Sequence, residues 1–190
     1  SDGTIRPGID SATNERIDII SGFQMAGSDD EELKRRIACE ACPGFGSCGG
    51  MFTYNTMQTF IGVLGMEPLE MVSPPSDDER RVQEFPQKLV EYLNSMIQSQ
   101  LTPRDIVNRD SIRNAIIVAM AIGGSTNVML HAPEIARAAG YSDFANQIMS
   151  PEEFNHLSEY VVPVLIDARP FGIYSMVDID EQGGVQVIVK

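Results

Sequence analysis

Three cysteines, Cys39, Cys42 and Cys48, lie within ten positions of one another. Cys48 stands in a glycine-rich turn that runs directly into a predicted helix, within the sequence Cys-Pro-Gly-Phe-Gly-Ser-Cys-Gly-Gly of residues 42–50. Glycines let the backbone adopt positive φ and approach a bound group closely. The unsatisfied amides at the start of that helix favour Cys48 as a thiolate, the form that binds iron or zinc. The segment therefore predicts a metal ligand at Cys48.

Other interpretations of these cysteines remain open. Cys48 could be a small buried residue beside a tight turn, since free cysteines are commonly buried. Cys39 and Cys42 have C-x2-C spacing, which could bind zinc or the edge of a cluster, but no fourth ligand for a closed zinc site is visible nearby. A structural role is therefore favoured for these two. An odd number of clustered cysteines is typical of a reducing compartment and a metal or redox role rather than of a disulfide framework.

The composition describes a chain that can bury its own core. It has 190 residues, 43% of them hydrophobic, and its 14 basic and 27 acidic residues give a formal net charge of −13. Such an acidic chain lacks the basic surface that binds a phosphate backbone, so nucleic acid is not an expected partner. The sequence has no apolar run long enough to span a bilayer, and its first residues lack a signal-peptide pattern. We therefore predict a cytoplasmic protein without a membrane partner.

Apolar periodicity and capping residues predict helices along most of the chain. Two short helices precede the cysteines, and a buried helix over 51–64 ends at Gly65. Further helices are expected over 79–97, 110–122, 128–139 and 151–160, and another is expected to begin at residue 103.

The last thirty residues differ in pattern from the rest. The β-branched runs at 161–166 and 185–189 predict two strands, separated by glycines. The predicted fold class is α/β and helix-rich, with a short β segment at the carboxy end. Residues 1–160 would form a helix-rich segment, and residues 161–190 a β-rich linker or the start of the next domain.

Four segments, taken in order, resemble the dihydroxy-acid dehydratase and phosphogluconate dehydratase family. They are Gly3–Gly8, the cysteine segment Ala41–Met57, the stretch Asn114–His131 containing Gly-Gly-Ser-Thr-Asn, and Val162–Asp178. Together they touch nearly the whole chain. The resemblance implies that this chain forms part of the amino-terminal domain of the dehydratase fold.

The resemblance implies a hydro-lyase that converts a 2,3-dihydroxy acid, either a branched-chain amino-acid precursor or a sugar acid, to a 2-keto acid. Its cofactors would be an iron–sulfur cluster acting as Lewis acid and a nearby magnesium ion. Cys48 corresponds to the last of the three cysteines that hold the cluster in the family. Phe45 occupies a position where some relatives with a different cluster carry another cysteine, so a 2Fe-2S cluster is favoured.

The second glycine-rich block supplies the candidate substrate-binding residues Ser125, Thr126, Asn127 and His131. Amides and hydroxyls at a helix start could bind a substrate carboxylate, and His131 could donate to a cluster sulfide or a substrate oxygen. The alternatives are ordinary helix capping by Ser125 or Asn127 and an ordinary hydrogen-bonded interior histidine.

Two family blocks are missing, the Cys-Asp-Lys-x-x-Pro block and the carboxy-terminal Asp-Gly-Arg block. Together with the absence of a start methionine, this predicts a middle segment of a longer polypeptide, inactive alone and unable to bind cluster or magnesium stably. Bare apolar surface would then favour a homo-oligomer. The alternative functions are a non-catalytic remnant that acts as a binding or assembly module, and a cysteine-metal redox protein, against which the four ordered matches speak.

Overall fold

The computed structural model describes residues 3–148 and 150–189. Helices dominate it, as predicted. A small antiparallel sheet lies near the amino end, where β1 (Gly8–Ile9) pairs with β2 (Arg16–Ile17). The α-helices, in chain order, are α1 (Ile19–Met25), α2 (Glu31–Glu40), α3 (Thr53–Leu64), α4 (Arg80–Gln83), α5 (Phe85–Gln98), α6 (Pro103–Ile106), α7 (Arg109–Ala121), α8 (Val128–Ala138), α9 (Ser142–Ile148), α10 (Pro151–His156), α11 (Met176–Glu181) and α12 (Val185–Val189). A 3-10 turn covers Leu69–Met71, and a π-helical turn covers Leu157–Val161.

Side-chain caps and glycines set several of the helix ends. Asp18 and Asp30 accept hydrogen bonds from the first amides of α1 and α2. Gly65 ends α3 in the left-handed region, at a φ of 86° that side chains with a Cβ rarely adopt. The helix predicted over 79–97 is divided into α4 and α5, with Pro86 in the first turn of α5. Proline is tolerated there because the amides of a first turn have no partner inside the helix.

The main core lies between α3, α7, α8 and α9. α7 is apolar along most of its length, which suits a helix in the middle of a domain. Its side chains Ile112, Ala115 and Ile116 are fully buried against Phe60 of α3. This packing makes α3 a rigid support for the loop that precedes it.

A second cluster joins the carboxy end of the chain to the start of α3. It contains Met51, Ile122, Met176, Ile179 and Val185, all of them buried. The prediction of strands in this part of the chain is wrong. Residues 185–189 form the helix α12, and within 161–190 the described residues make a single isolated bridge, between Ala168 and Tyr174.

The run at 161–166 is extended after its π-helical turn, but it does not belong to a sheet. The Leu165 amide instead donates to the carbonyl oxygen of Ala121, at the end of α7. β-branched residues favour extended backbone, whereas a strand also needs a partner. The predicted domain boundary near residue 160 stays a prediction.

Candidate functional site

Cys48 lies in an open cleft of about 570 Å³ between the cysteine loop, residues 42–50, and the amino-terminal part of the chain. Its side chain is exposed. Apolar side chains form most of the walls, and polar groups enter from Arg6, Asp18 and Ser175. The apolar wall residues are Ile5, Pro7, Ile19, Phe23 and Phe52. The alternative of a Cys48 thiol packed inside the core is therefore wrong.

Residues 3–5 support the cysteine loop from behind. The amide of Ile5 donates to the carbonyl oxygen of Ser47, and the amide of Ser47 donates to the carbonyl oxygen of Gly3, both at 2.8 Å. On its other side, this short extended segment exchanges hydrogen bonds with Pro74 and Ser76. The amino-terminal residues thus lie between the cysteine loop and residues 74–76, which fixes the backbone on both sides of Cys48.

Asn55, in the first turn of α3, holds the carbonyl groups on either side of Gly49. Its Nδ2 donates to the carbonyl oxygens of Cys48 and Gly50, at 2.6 Å each. The hydroxyl of Thr4 also donates to the Cys48 carbonyl. Asn55 and Thr4 are both fully buried. Since buried donors and acceptors are costly to leave unpaired, these bonds fix the orientation of the peptide groups that carry Cys48.

Close approach explains two of the loop glycines. A methyl group on Gly46, whose φ is 134°, would lie 2.9 Å from the Ile5 nitrogen. A methyl group on Gly50 would lie 2.7 Å from Cβ of Arg169. Both distances are shorter than a Cβ can accept. These glycines therefore let the cysteine loop pack directly on its two neighbouring segments.

The carboxy-terminal part of the chain closes the other side of the loop. The Met51 amide donates to the Arg169 carbonyl at 2.7 Å, and the Met176 amide donates to the Gly49 carbonyl at 2.8 Å. An ion pair of 2.8 Å joins Arg169 to Asp18, the residue that caps α1. Cys48 thus stands where the amino-terminal, cysteine-loop and carboxy-terminal segments meet.

Arg16 of β2 adds a second connection across this junction. Its guanidinium donates to Asp178 at 2.7 Å and to the Ser175 hydroxyl at 2.6 Å. Burial tends to raise the pKa of Asp178, but the hydrogen bonds from Arg16 and Ser175 outweigh it and hold that pKa below its usual value. The carboxylate therefore stays ionised and keeps Arg16 in place.

Cys42 lines the same cleft as Cys48, whereas Cys39 is absent from the described residues that line it. Burial raises the pKa of the Cys42 thiol, and the nearby Asp18 and Cys48 raise it further. All three thiols are free and exposed. Of the two cysteines with C-x2-C spacing, only Cys42 is among the described residues that line the cleft.

The four candidate substrate-binding residues lie elsewhere. Among the described lining residues of the cleft, Ser125, Thr126, Asn127 and His131 do not occur. Asn127 donates through Nδ2 to the Thr53 hydroxyl, and the Ser125 amide donates to the Thr56 hydroxyl at 2.9 Å. His131 is exposed on α8. Ser125 and Asn127 therefore connect the starts of α8 and α3, and substrate binding by the four residues stays a prediction.

Cys48 suits a metal centre as one ligand of several. Its thiol is accessible and its backbone is fixed, which are the requirements for a preformed anchor. Within the ranges 3–148 and 150–189, however, no group of three or more Cys, His, Asp or Glu side chains is placed to hold a metal ion. A cluster bound here would need ligands from outside these residues.

Sequence reasoning missed the residues that position Cys48. Asn55, Thr4, Arg169 and Arg16 act through contacts between distant segments, and their spacing carries no periodic signal. The one available hint was that the segments containing Thr4, Asn55 and Arg169 all lie within the matches to the dehydratase family.

Known proteins are similar to this chain over nearly its whole length. The family model described as "Dihydroxy-acid/6-phosphogluconate dehydratase N-terminal" matches residues 1–190. A dihydroxy-acid dehydratase of Leifsonia xyli subsp. xyli is 40% identical over 99% of this chain and 33% of its own length. A chloroplastic dihydroxy-acid dehydratase of Arabidopsis thaliana is 36% identical over 99% of this chain and 30% of its own. A mitochondrial one of Penicillium brasilianum is 35% identical over 99% of this chain and 31% of its own.

The chain spans about a third of the length of these curated relatives. Along the part of the chain that the structure describes, no helix combines the length and the apolar character that crossing a bilayer requires. The family model matches all 190 residues, and the relatives are dihydroxy-acid dehydratases; together these findings establish the family of the chain. The chain belongs to the dihydroxy-acid/6-phosphogluconate dehydratase family.

Proposed function

We propose that this chain is the segment of an iron–sulfur dehydratase that supplies Cys48 as one ligand of the cluster. The complete enzyme would remove water from a 2,3-dihydroxy acid and release a 2-keto acid. The observation that carries the proposal is the placement of Cys48, an exposed thiol in an open cleft, on a loop fixed from three sides. A core cysteine would not need such support.

The chemistry explains why an anchored metal would be useful. Dehydration requires loss of the C2 proton and departure of the C3 hydroxyl, which is a poor leaving group in water. The cluster, when bound, supplies a Lewis acid for that hydroxyl. Cys48 would hold one iron, and a two-iron cluster with magnesium nearby remains our favoured cofactor set.

The residues around Cys48 have separate tasks in this proposal. Asn55 and Thr4 hold the Cys48 peptide, so that the thiol does not lose its position when ligands arrive. Phe52, Ile19 and Phe23 form apolar walls beside the exposed sulfur. Apolar surroundings strengthen electrostatic interactions at a metal centre and protect it from hydrolysis.

The remaining ligands would come from parts of the enzyme outside this chain. We therefore expect the isolated chain to be inactive and to bind neither cluster nor magnesium stably. The relatives are named for dihydroxy acids, which favours a branched-chain dihydroxy acid over a phosphorylated sugar acid as substrate. We retain the cytoplasm as the expected compartment.

A binding or assembly module is the second candidate, favoured by one observation. α5 carries exposed apolar side chains along one face, among them Val90, Leu93 and Ile97. Such a face is typical of an interface, and it supports a homo-oligomer in either case. A remnant module would keep its partner binding after Cys48 is replaced, whereas a dehydratase segment would lose activity.

The test is a dehydratase assay of the longer polypeptide that carries this segment. Keto-acid release would be measured with a branched-chain 2,3-dihydroxy acid and with 6-phosphogluconate. Cys48→Ser should lower turnover by more than about 100-fold, because a direct ligand matters at least as much as its neighbours. Cys39→Ser, a change of the same type outside the cleft, should leave it unchanged. Full activity of Cys48→Ser would refute the ligand assignment.

A further inference from the structure

Two of the three thiols face the same cleft. Cys42 and Cys48 both line it and both are exposed, so a small reagent entering the cleft can reach either sulfur. Cys39 is also exposed but is not among the cleft residues that the structure describes. Cys42 and Cys48 therefore share one cleft, although Cys39 is nearer to Cys42 in sequence.

The loop between the two cysteines is bent. Gly44 and Gly46 both have positive φ, at 82° and 134°, which side chains with a Cβ rarely adopt. The second half of this turn is fixed, because Gly46 packs on Ile5 and the Phe45 carbonyl accepts a hydrogen bond from the Ser76 hydroxyl. At Gly44, by contrast, an added methyl group would meet nothing within 4 Å. The part of the loop next to Cys42 thus has space in which to adjust.

We propose that Cys42 and Cys48 form a reversible disulfide across the cleft whenever the Cys48 sulfur is not bound to metal. The oxidant is a small-molecule disulfide of the glutathione type. One protein thiolate attacks a sulfur of the reagent, forms a mixed disulfide and releases the first glutathione thiolate. The second protein thiolate attacks the protein sulfur of that mixed disulfide and releases the second glutathione. Two cysteine thiols are oxidised, and one glutathione disulfide is reduced to two glutathione molecules.

The consequence for the metal rests on the proposed function. A sulfur in a disulfide cannot be a thiolate ligand, so closure of the pair and cluster binding would exclude each other. Reduction would reopen the site. The pair would thus protect an empty ligand from the irreversible oxidation to which exposed thiols are prone.

The test uses the 190-residue chain, reduced, freed of metal and then exposed to oxidised glutathione at low protein concentration. After alkylation of the remaining thiols, peptide mass mapping should find a Cys42–Cys48 bond within one chain. Cys39 should be alkylated or carry glutathione. The bond should reopen with a mild dithiol reductant.

Three matched substitutions identify the partners. Cys39→Ser should form the Cys42–Cys48 disulfide as the unaltered chain does. Cys42→Ser and Cys48→Ser should stop at mixed disulfides with glutathione. All three positions are exposed, so the substitutions should not prevent folding. A Cys39–Cys42 bond, a bond between two chains, or three stable glutathione adducts in the unaltered chain would overturn the proposal.

A separate measurement keeps this inference distinct from the proposed function. The mapping experiment requires no cluster, so its result stands even if Cys48 proves not to be a ligand. Conversely, if Cys42 and Cys48 do not join, the ligand assignment is still tested by iron binding in the longer polypeptide.

Discussion

The side-chain amide of Asn55 donates hydrogen bonds of 2.6 Å to the carbonyl oxygens of Cys48 and of Gly50 two residues further on. Its own carbonyl oxygen, Oδ1, is buried without a hydrogen-bond partner among the described residues. Reversing the amide would place Oδ1 against two carbonyl oxygens, so the observed orientation is the favourable one. One side chain therefore fixes the bend at Cys48 at the cost of leaving one of its own acceptors unpaired.

Replacing Asn55 by alanine should destabilise the chain and release the loop. Loss of two buried hydrogen bonds should lower the free energy of unfolding by about 2–4 kcal/mol, measured by urea denaturation. Alkylation of Cys48 should become faster relative to Cys39, because the loop would sample more orientations. Asn94→Ala, on the exposed side of α5, is the control and should change neither quantity appreciably. Unchanged Cys48 reactivity in a destabilised Asn55→Ala chain would show that Asn55 supports the fold without positioning the thiol.

Replacing Gly50 by alanine should also disturb the loop, for a steric reason. The new methyl group would lie 2.7 Å from Cβ of Arg169 and 2.9 Å from its carbonyl oxygen. We expect a loss of about 1–3 kcal/mol in unfolding free energy, as for other overpacked sites. Gly22→Ala in α1 is the matched control, since a methyl group there meets nothing within 4 Å. It should raise stability by about 0.5–1 kcal/mol, because alanine favours a helix. Equal effects of the two substitutions would contradict the described packing.

The ion pair between Arg16 and Asp178 predicts a pH dependence with a definite sign. The pKa of Asp178 is lower in the folded chain than its usual value near 3.8, so the unfolded chain takes up this proton first. The contribution of Asp178 to stability is therefore complete above that value and is lost as the pH falls through the lowered pKa.

As the pH falls from about 5 through the lowered pKa of Asp178, Asp178→Asn should accordingly lose less stability than the unaltered chain. Near neutral pH it should be less stable by about 0.5–1.5 kcal/mol, because Asp178 also receives the Ser175 amide at the start of α11. Glu159→Gln, at an exposed carboxylate, should follow the unaltered chain. Parallel pH curves for Asp178→Asn and the unaltered chain would show that this pair does not govern acid unfolding.

Asn127 offers a test between a structural and a substrate-binding role. Its amide donates to the Thr53 hydroxyl and so joins the first turns of α8 and α3. Asn127→Ala and Thr53→Ala should each cost about 1 kcal/mol, and the double substitution should cost less than their sum. The reason is that either substitution alone already removes the hydrogen bond between Asn127 and Thr53, so the second substitution cannot remove it again. Additive costs in this chain without substrate would favour the predicted substrate-binding role of Asn127 over this structural one.

The sequence predicted the helices best where long apolar patterns end in clear caps. Examples are α3, which ends at Gly65, and α7, which is followed by Gly123. In both, the buried face and the left-handed glycine belong to one continuous segment of the sequence, so the pattern is visible locally. The short pair β1–β2 was missed, since strands of two residues are too short to show alternation.

The carboxy end shows how packing can override local preference. Val185–Val189 is rich in β-branched residues, yet it forms α12, with Val185 buried beside Met176 and Ile179. Strand propensity measures fit to a pleated, partnered surface, and no partner strand is present for this run among the described residues. At the site, the cysteine at position 48 and the glycine-rich turn that carries it could be recognised from the sequence. The supporting roles of Asn55, Thr4 and Arg169 could not, because they depend on contacts between distant segments.

The central claim is that Cys48 is one ligand of an iron–sulfur cluster whose other ligands lie outside this chain. The most direct measurement is iron and sulfide content after anaerobic reconstitution, with visible absorbance, of the longer polypeptide and of its Cys48→Ser and Cys42→Ser variants. We predict that the unaltered and Cys42→Ser proteins bind a cluster, that Cys48→Ser does not, and that the isolated chain stays colourless. A full cluster in Cys48→Ser, or a stoichiometric cluster in the isolated chain, would contradict the account.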